Sequence, residues 1–239
     1  MPLPPPAHGA PPQRVIHVPT LNLAGRRLWR WLPALILLLS AGGGLGLANY
    51  GPAPFDEPVL IWFRDSGNSA LIAGPVWVTT FWLTVSWLGD ALPRIVAAVM
   101  ALIALLWFRR RRDALLMSGV LLSGLMLSSA IKHWVARPRP ELVAHLDHFS
   151  SASFPSGHAL NSTLFYMTIA LLLAPLLRRH SERLALYGVA VALSLMIGIS
   201  RVALGVHYPS DVLASWVISA AWLWLWFGAA DRYWPKAIR

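Results

Sequence analysis

Three short polar clusters in this chain combine residue types that can bind and transfer a phosphoryl group. The first is Lys132-His-Trp-Val-Ala-Arg137-Pro-Arg139-Pro140. The second is Pro155-Ser156-Gly157-His158, and the third runs from Ser200-Arg201 through His207-Tyr208-Pro209-Ser210 to Asp211. Lys132, Arg139 and Arg201 supply three cations, and Arg presents a planar fork of donors that matches phosphate. Ser156 and Gly157 stand where an apolar helix should begin, so free N–H groups and the helix dipole favour an anion there. Gly157 lets a ligand approach the backbone closely.

Two histidines complete the constellation. His207 and Asp211 are four residues apart, and Pro209 suits the first turn of a helix, so the carboxylate comes within reach of the imidazole. A carboxylate on one ring nitrogen fixes the tautomer and raises the basicity of the other. His207 therefore suits a nucleophile. His158, beside the Ser-Gly anion site, suits a general acid for the leaving oxygen and then a base for water.

The three clusters read Lys-x6-Arg-Pro, Pro-Ser-Gly-His and Ser-Arg-x5-His-x3-Asp, in that order. Together they resemble the signature of the type 2 phosphatidic acid phosphatase superfamily, which includes bacterial lipid phosphatases and vanadium haloperoxidases. The resemblance implies a metal-independent hydrolase of lipid phosphates or diphosphates that needs no cofactor and works through a phosphohistidine. It implies His207 as nucleophile, Asp211 as its orienting partner and His158 as the acid. Lys132, Arg139, Ser156, Gly157 and Arg201 would then bind phosphate, and no residue would bind metal. Undecaprenyl diphosphate is the first-choice substrate by analogy. Phosphatidylglycerophosphate, phosphatidate and lipid A phosphates are the alternatives within the class. A non-catalytic lipid-phosphate binding or transport protein is the alternative outside it.

The elements that must position these residues follow from composition. Of 239 residues, 56% are hydrophobic and only 13% charged, which excludes a soluble domain with a polar coat and a disordered chain. The 13 Trp residues suit membrane–water interfaces, and the absence of Cys excludes disulfides and thiolate metal sites. The excess of 20 Lys and Arg over 10 Asp and Glu falls in clusters between apolar runs, so it orients membrane helices rather than marking a nucleic-acid surface. Uncharged runs over residues 31–50, 95–108, 114–131, 159–177, 184–200 and 212–230 predict six spans. Arg94 extends the second run by snorkelling, and the fifth extends through Arg201.

Residues 70–88 are also long enough to cross, but a crossing there would invert everything after it. Six spans keep Arg109–Arg112, Arg178, Arg179, Arg183 and Arg232 on the side of the N-terminus. A seventh would turn the Arg109–Arg112 block outward, against the positive-inside rule. The 70–88 run is therefore expected at the outer interface, as a surface helix or re-entrant element. The expected fold is all-α: a polytopic membrane protein of six transmembrane helices with an additional interfacial outer segment. A Pro-rich flexible cytoplasmic tail spans residues 1–25, and the six-span domain spans 26–239. Both termini are expected in the cytoplasm of a bacterium, in the inner membrane, with all three clusters on the periplasmic side.

Other residues receive plainer readings. Arg137 reads as a surface charge and Tyr208 as part of the interfacial aromatic belt. His133, His145 and His148, with Glu141 and Asp147 nearby, read as exposed loop residues because their spacing matches no strong ligand pattern. Asn161, Ser162 and Thr163 read as helix–helix contacts. The Trp residues at 222, 224 and 226 read as lipid-facing or packed.

Overall fold

A computed structural model describes residues 23–149 and 151–233, so most of the Pro-rich tail expected over residues 1–25 lies outside the described residues. The described residues contain helices and no strand. They are α1 (Leu23–Tyr50), α2 (Asp56–Trp62), α3 (Val76–Trp87), α4 (Ala91–Trp107), α5 (Arg111–Val135), α6 (Gly157–Leu173), α7 (His180–Ala203) and α8 (Pro209–Tyr233). Stretches within or matching α1, α5, α6 with its following 3-10 turn, α7 and α8 are long and apolar enough to cross a bilayer. The α3–α4 pair, bent by 43°, supplies a sixth when taken as one span. Residues 70–88 thus form no separate crossing, since α3 runs into α4 through the bend.

Helix α6 sits at the centre, packed against α5, α7 and α8, with α1 against α8 and α5. The main core joins Leu116, Met117 and Val120 of α5 to Leu160, Leu164 and Phe165 of α6 and Ile218 of α8. Large apolar side chains on the outer face of α4, among them Ile95, Val99, Met100 and Ile103, are exposed, as a lipid-facing helix requires. Trp222 and Trp226 are packed rather than lipid-facing, and both donate from Nε1 to Ser123 Oγ, at 3.2 and 3.0 Å.

The antiparallel alternation of the spans puts Arg109–Arg112, Arg178, Arg179, Arg183 and Arg232 at one end of the bundle. All three polar clusters lie at the other end. Arg94, read as a snorkelling anchor, turns back into the α3–α4 break instead, where Nη1 donates to Gly89 O at 2.6 Å.

Candidate active site

Each cluster is placed by a helix end. Helix α5 ends at Lys132–Val135, and Ala136, in the left-handed region at φ 47°, turns the chain out of it. Arg137 and Arg139 each precede a proline, which forbids helix and holds both extended. Residues two apart in an extended chain share a side, and the two guanidinium groups reach the first turn of α8 (Arg137) and the turn before it (Arg139). Helix α6 starts at Gly157, with Ser156 Oγ accepting from Ala159 N at 3.5 Å as its N-cap. A Cβ at Gly157 would meet Lys132 Cε at 3.7 Å, so this position faces the lysine.

The third cluster folds back on itself. Gly205 at φ 76° closes α7: its N–H donates to Val202 O at 2.9 Å, and Val206 N–H donates to Arg201 O at 3.1 Å. This pair of bonds is a Schellman stop, which favours glycine at the left-handed position. Helix α8 then starts at Pro209. Asp211 reaches back to accept Tyr208 N–H at 3.0 Å, the carboxylate half of a capping box. Arg201 is thus left on the last turn of α7, and His207 is held against the first turn of α8.

These elements bring Arg139, His207 and Asp211 into contact, set Lys132 beside Gly157, and leave Arg201 within electrostatic reach of Lys132, Arg139 and His158. His207 is buried, with Nδ1 3.5 Å from Asp211 Oδ2 and 3.4 Å from Ser153 Oγ. Its Nε2 lies 3.3 Å from Arg139 Nη1. Arginine can only donate, so Nε2 carries the lone pair and the ring proton sits on Nδ1, toward Asp211. Burial, and then the charges of Arg139 and Lys132, outweigh the pull of Asp211 and hold the His207 imidazole down at about 3. It is neutral at physiological pH, with its free nitrogen facing the cations.

The cations divide into two kinds. Lys132 Nζ donates to Ala152 O at 2.6 Å, and Arg139 donates to Ser151 O at 2.9 Å and Val206 O at 2.5 Å. Among the described residues neither has a carboxylate partner. Burial and the nearby charge of Arg201 hold Arg139 down at about 10, the condition of a cation that lacks an anion. Arg201, by contrast, is paired through Nη1 with Asp147 and Ser86 while its Nε has no partner. The charge of Arg201 keeps Asp147 below the usual carboxylate range despite its burial. A neutral imidazole beside uncommitted cations, with a second histidine nearby, can attack a bound phosphoryl group and stabilise the charge that develops.

Several plainer readings are corrected. Arg137 is not a surface charge: it is 1% exposed and joins Asp211 Oδ1 at 2.5 Å to Asp56 Oδ2 at 3.0 Å. Two buried carboxylates at the turn require a cation, and the extended Arg-Pro-Arg-Pro segment delivers one. Tyr208 lies under Arg137, whose Cζ is 4.1 Å from the ring centroid, so it belongs to the site wall rather than the belt. Asp147 is tied to Arg201 instead of standing free in the loop. His133, His145 and His148 are exposed as expected, but His133 sits on the last turn of α5 rather than in a loop.

Four further residues escaped sequence reasoning. Asp56 accepts from Ser210 N at 2.8 Å, Ser210 Oγ at 2.6 Å and Ala53 N at 2.9 Å, which ties α2 to the start of α8. Ser153 donates to Asp211 Oδ2 at 2.5 Å. Asp90 Oδ1 lies 2.6 Å from His158 Nε2. Ser86 meets Arg201. Asp56, Ser86 and Asp90 lie far from the motifs in sequence and carry no local spacing signal. Ser153, two residues before the second cluster, was within reach of a closer reading.

Comparisons with known proteins give the chain a family. The family model described as PAP2 superfamily matches residues 113–234. The phosphatidylglycerophosphatase B of Bacillus subtilis is 34% identical over 149 residues, which cover 61% of this chain and 72% of that protein. The undecaprenyl-diphosphatase BcrC of the same organism is 32% identical over 149 residues, covering 59% of this chain and 72% of that one. The crystal structure of a transmembrane PAP2 type phosphatidylglycerolphosphate phosphatase from Bacillus subtilis superposes with a TM-score of 0.74 at 26% identity, over 87% of this chain and 100% of that one. With a family match over half its length, relatives that are phosphatases by name and a shared helical fold, the chain belongs to the PAP2 superfamily, as a multi-pass membrane phosphatase.

Proposed function

We propose that the protein hydrolyses the phosphate ester or anhydride of a membrane lipid through a phosphohistidine on His207. In this reading His207 Nε2 attacks phosphorus and Asp211 holds its Nδ1 proton. His158 protonates the leaving oxygen and then activates water. Lys132, Arg139, Arg201, Ser156 and the Gly157 backbone hold the phosphoryl oxygens. The observation that carries the reading is the placement of the buried His207 ring between Asp211 Oδ2, 3.5 Å from Nδ1, and Arg139 Nη1, 3.3 Å from Nε2, which supports a lone pair on Nε2.

Undecaprenyl diphosphate is the first substrate in this reading, supported by the similarity to an undecaprenyl-diphosphatase. Phosphatidylglycerophosphate is the second, supported by the relative and the solved structure that carry that name. Placement in a bacterial inner membrane with the site toward the periplasm is supported by the arginine clusters at the opposite end of the bundle, which the positive-inside rule assigns to the cytoplasm.

The test is inorganic phosphate release by detergent-purified protein, with EDTA present, from undecaprenyl diphosphate, phosphatidylglycerophosphate, phosphatidate and a lipid A phosphate. Activity on one of these, lowered at least about 10³-fold in His207→Ala, is the expected result. Full activity in His207→Ala would overturn the mechanism. A folded wild type inert on every lipid would favour a binding or transport role.

A further inference from the structure

Asp90 occupies the N-cap position of α4, where an aspartate ordinarily accepts an N–H from the first turn of its own helix. It makes no such bond. Its carboxylate turns instead across the bundle to His158 Nε2, 2.6 Å away. The backbone is built to place it there. Gly89 N–H donates to Ser86 O at 2.8 Å and Asp90 N–H to Trp87 O at 3.0 Å, while Tyr166 Oη donates to Leu88 O at 3.1 Å. A Cβ at Gly89 would press on Ile197 and lie 3.0 Å from Ser162 Oγ, so the break packs directly on α6 and α7. The bend between α3 and α4 thus carries one carboxylate to one histidine.

We propose that Asp90 is the positioning residue of the acid–base histidine. It accepts from Nε2–H of His158, and so leaves Nδ1 as the atom that transfers protons. The hydrogen bond of the His158 ring among the described residues is the one from Nε2, and none is made by Nδ1. Both side chains are partly open, His158 at 25% and Asp90 at 43%, so a substrate can reach them. The site then holds two Asp–His pairs of opposite sense. Asp211 holds Nδ1 of His207 and frees Nε2 for attack, whereas Asp90 holds Nε2 of His158 and frees Nδ1 for the proton. The other charged groups facing His158 are Arg94 from α4, Arg201 from α7 and Asp147 from the α5–α6 loop. All three have partners of their own, in Gly89 O, Asp147 and Arg201 respectively.

The inference rests on the phosphohistidine reading. In the first step His207 Nε2 forms an N–P bond as the P–O bond to the lipid breaks. The electron pair goes to the lipid oxygen, which takes the proton of His158 Nδ1–H. In the second step a water oxygen forms an O–P bond, the N–P pair returns to Nε2, and the water proton goes to His158 Nδ1. Asp90 keeps its hydrogen bond throughout and stabilises the imidazolium at the start and end of the cycle.

The chemistry of the leaving group separates this role from a structural one. Asp90→Asn keeps shape but loses charge, and it is compared with wild type and His207→Ala on phosphatidate and on p-nitrophenyl phosphate. The diacylglycerol of phosphatidate leaves as a basic alkoxide that needs the proton, and kcat should fall on the order of 10²-fold with little change in KM. p-Nitrophenolate needs no proton to leave. Its first equivalent should appear at the wild-type rate, followed by a slow steady state as the base-assisted second step limits. Equal slowing of both leaving groups, no slowing, or the absence of that burst would overturn the role of Asp90. If His207→Ala were active, the phosphohistidine reading itself would fail, whatever Asp90→Asn did. Asp90→Ser, whose short hydroxyl suits the N-cap position but carries no charge, gives the same readout should Asp90→Asn fail to fold.

Discussion

Replacing Arg137 by Met would test the buried charge arrangement on which the His207–Asp211 pair stands. Arg137 is 1% exposed, and Asp56 and Asp211 are fully buried on either side of its guanidinium. Met fills much of the volume but leaves both carboxylates without their cation. Breaking a buried pair by removing one partner costs about 3–5 kcal/mol. For a chain of this size each kcal/mol moves Tm by roughly 2–4 °C, so the expected loss is roughly 6–20 °C. The 13 Trp residues make intrinsic fluorescence a direct assay of unfolding in detergent. Activity should fall as well, because Asp211 Oδ1 is released while Oδ2 still faces His207. Asp56→Asn in the same background removes one of the two stranded charges. It should recover part of the loss, with a coupling of about 0.5–3 kcal/mol between the positions. An Arg137→Met variant with unchanged Tm would refute the reasoning, since it would mean that the carboxylates had never depended on the guanidinium.

Two further outcomes follow from the same geometry. Gly157→Ala should leave Tm unchanged, because its Cβ meets Lys132 Cε at an ordinary 3.7 Å, yet raise KM for lipid phosphate, because the methyl group enters the space beside the lysine; unchanged kinetics would mean that the phosphate binds elsewhere. Burial holds His207 at about 3 against an ordinary 6.5, so below about pH 6.5 the unfolded chain takes a proton that the folded chain refuses; stability is full above that pH and falls as the pH drops toward 3, by up to about 1.4 kcal/mol per unit, and a titration of Tm should be flatter on the acid side in His207→Asn than in wild type.

Legibility in the sequence followed the range of the interactions. The helices carried their own evidence, since an apolar run of span length needs no partner to be recognised. The motif clusters were legible because each adjoins a helix end that local rules produce: the Ser156 cap, the Gly205 stop, Pro209 in the first turn of α8. Their partners were not. Asp56 and Asp90 sit on outer segments brought to the site only when α2 packs on α8 and the α3–α4 bend packs on α6 and α7. A carboxylate at such a place looks like any first-turn acid until the fold is closed. Arg137 lay inside a motif and was still misread, because its burial depends on two carboxylates that the motif does not contain.

Arg137 and Arg139 show how identical residues two positions apart come to opposite ends. The prolines at 138 and 140 hold both extended and on one side of the chain, so both must meet the turn from Val206 to Asp211. Arg137 meets its far end, where Asp211 and Asp56 neutralise it. Arg139 meets its near end, where its partners among the described residues are the Ser151 and Val206 carbonyl oxygens, His207 Nε2 and the Phe149 ring, and none is a carboxylate. A guanidinium fully matched to carboxylates has little left to offer a phosphate, whereas one held by carbonyl oxygens keeps its whole charge available. The division follows from which end of the turn carries the acids. It predicts that Arg139→Lys, which keeps the charge but loses the planar fork, weakens phosphate binding while leaving Tm close to wild type. The same exchange at Arg137 should lower Tm, because one ammonium cannot span both Asp56 and Asp211 as the two guanidinium nitrogens do.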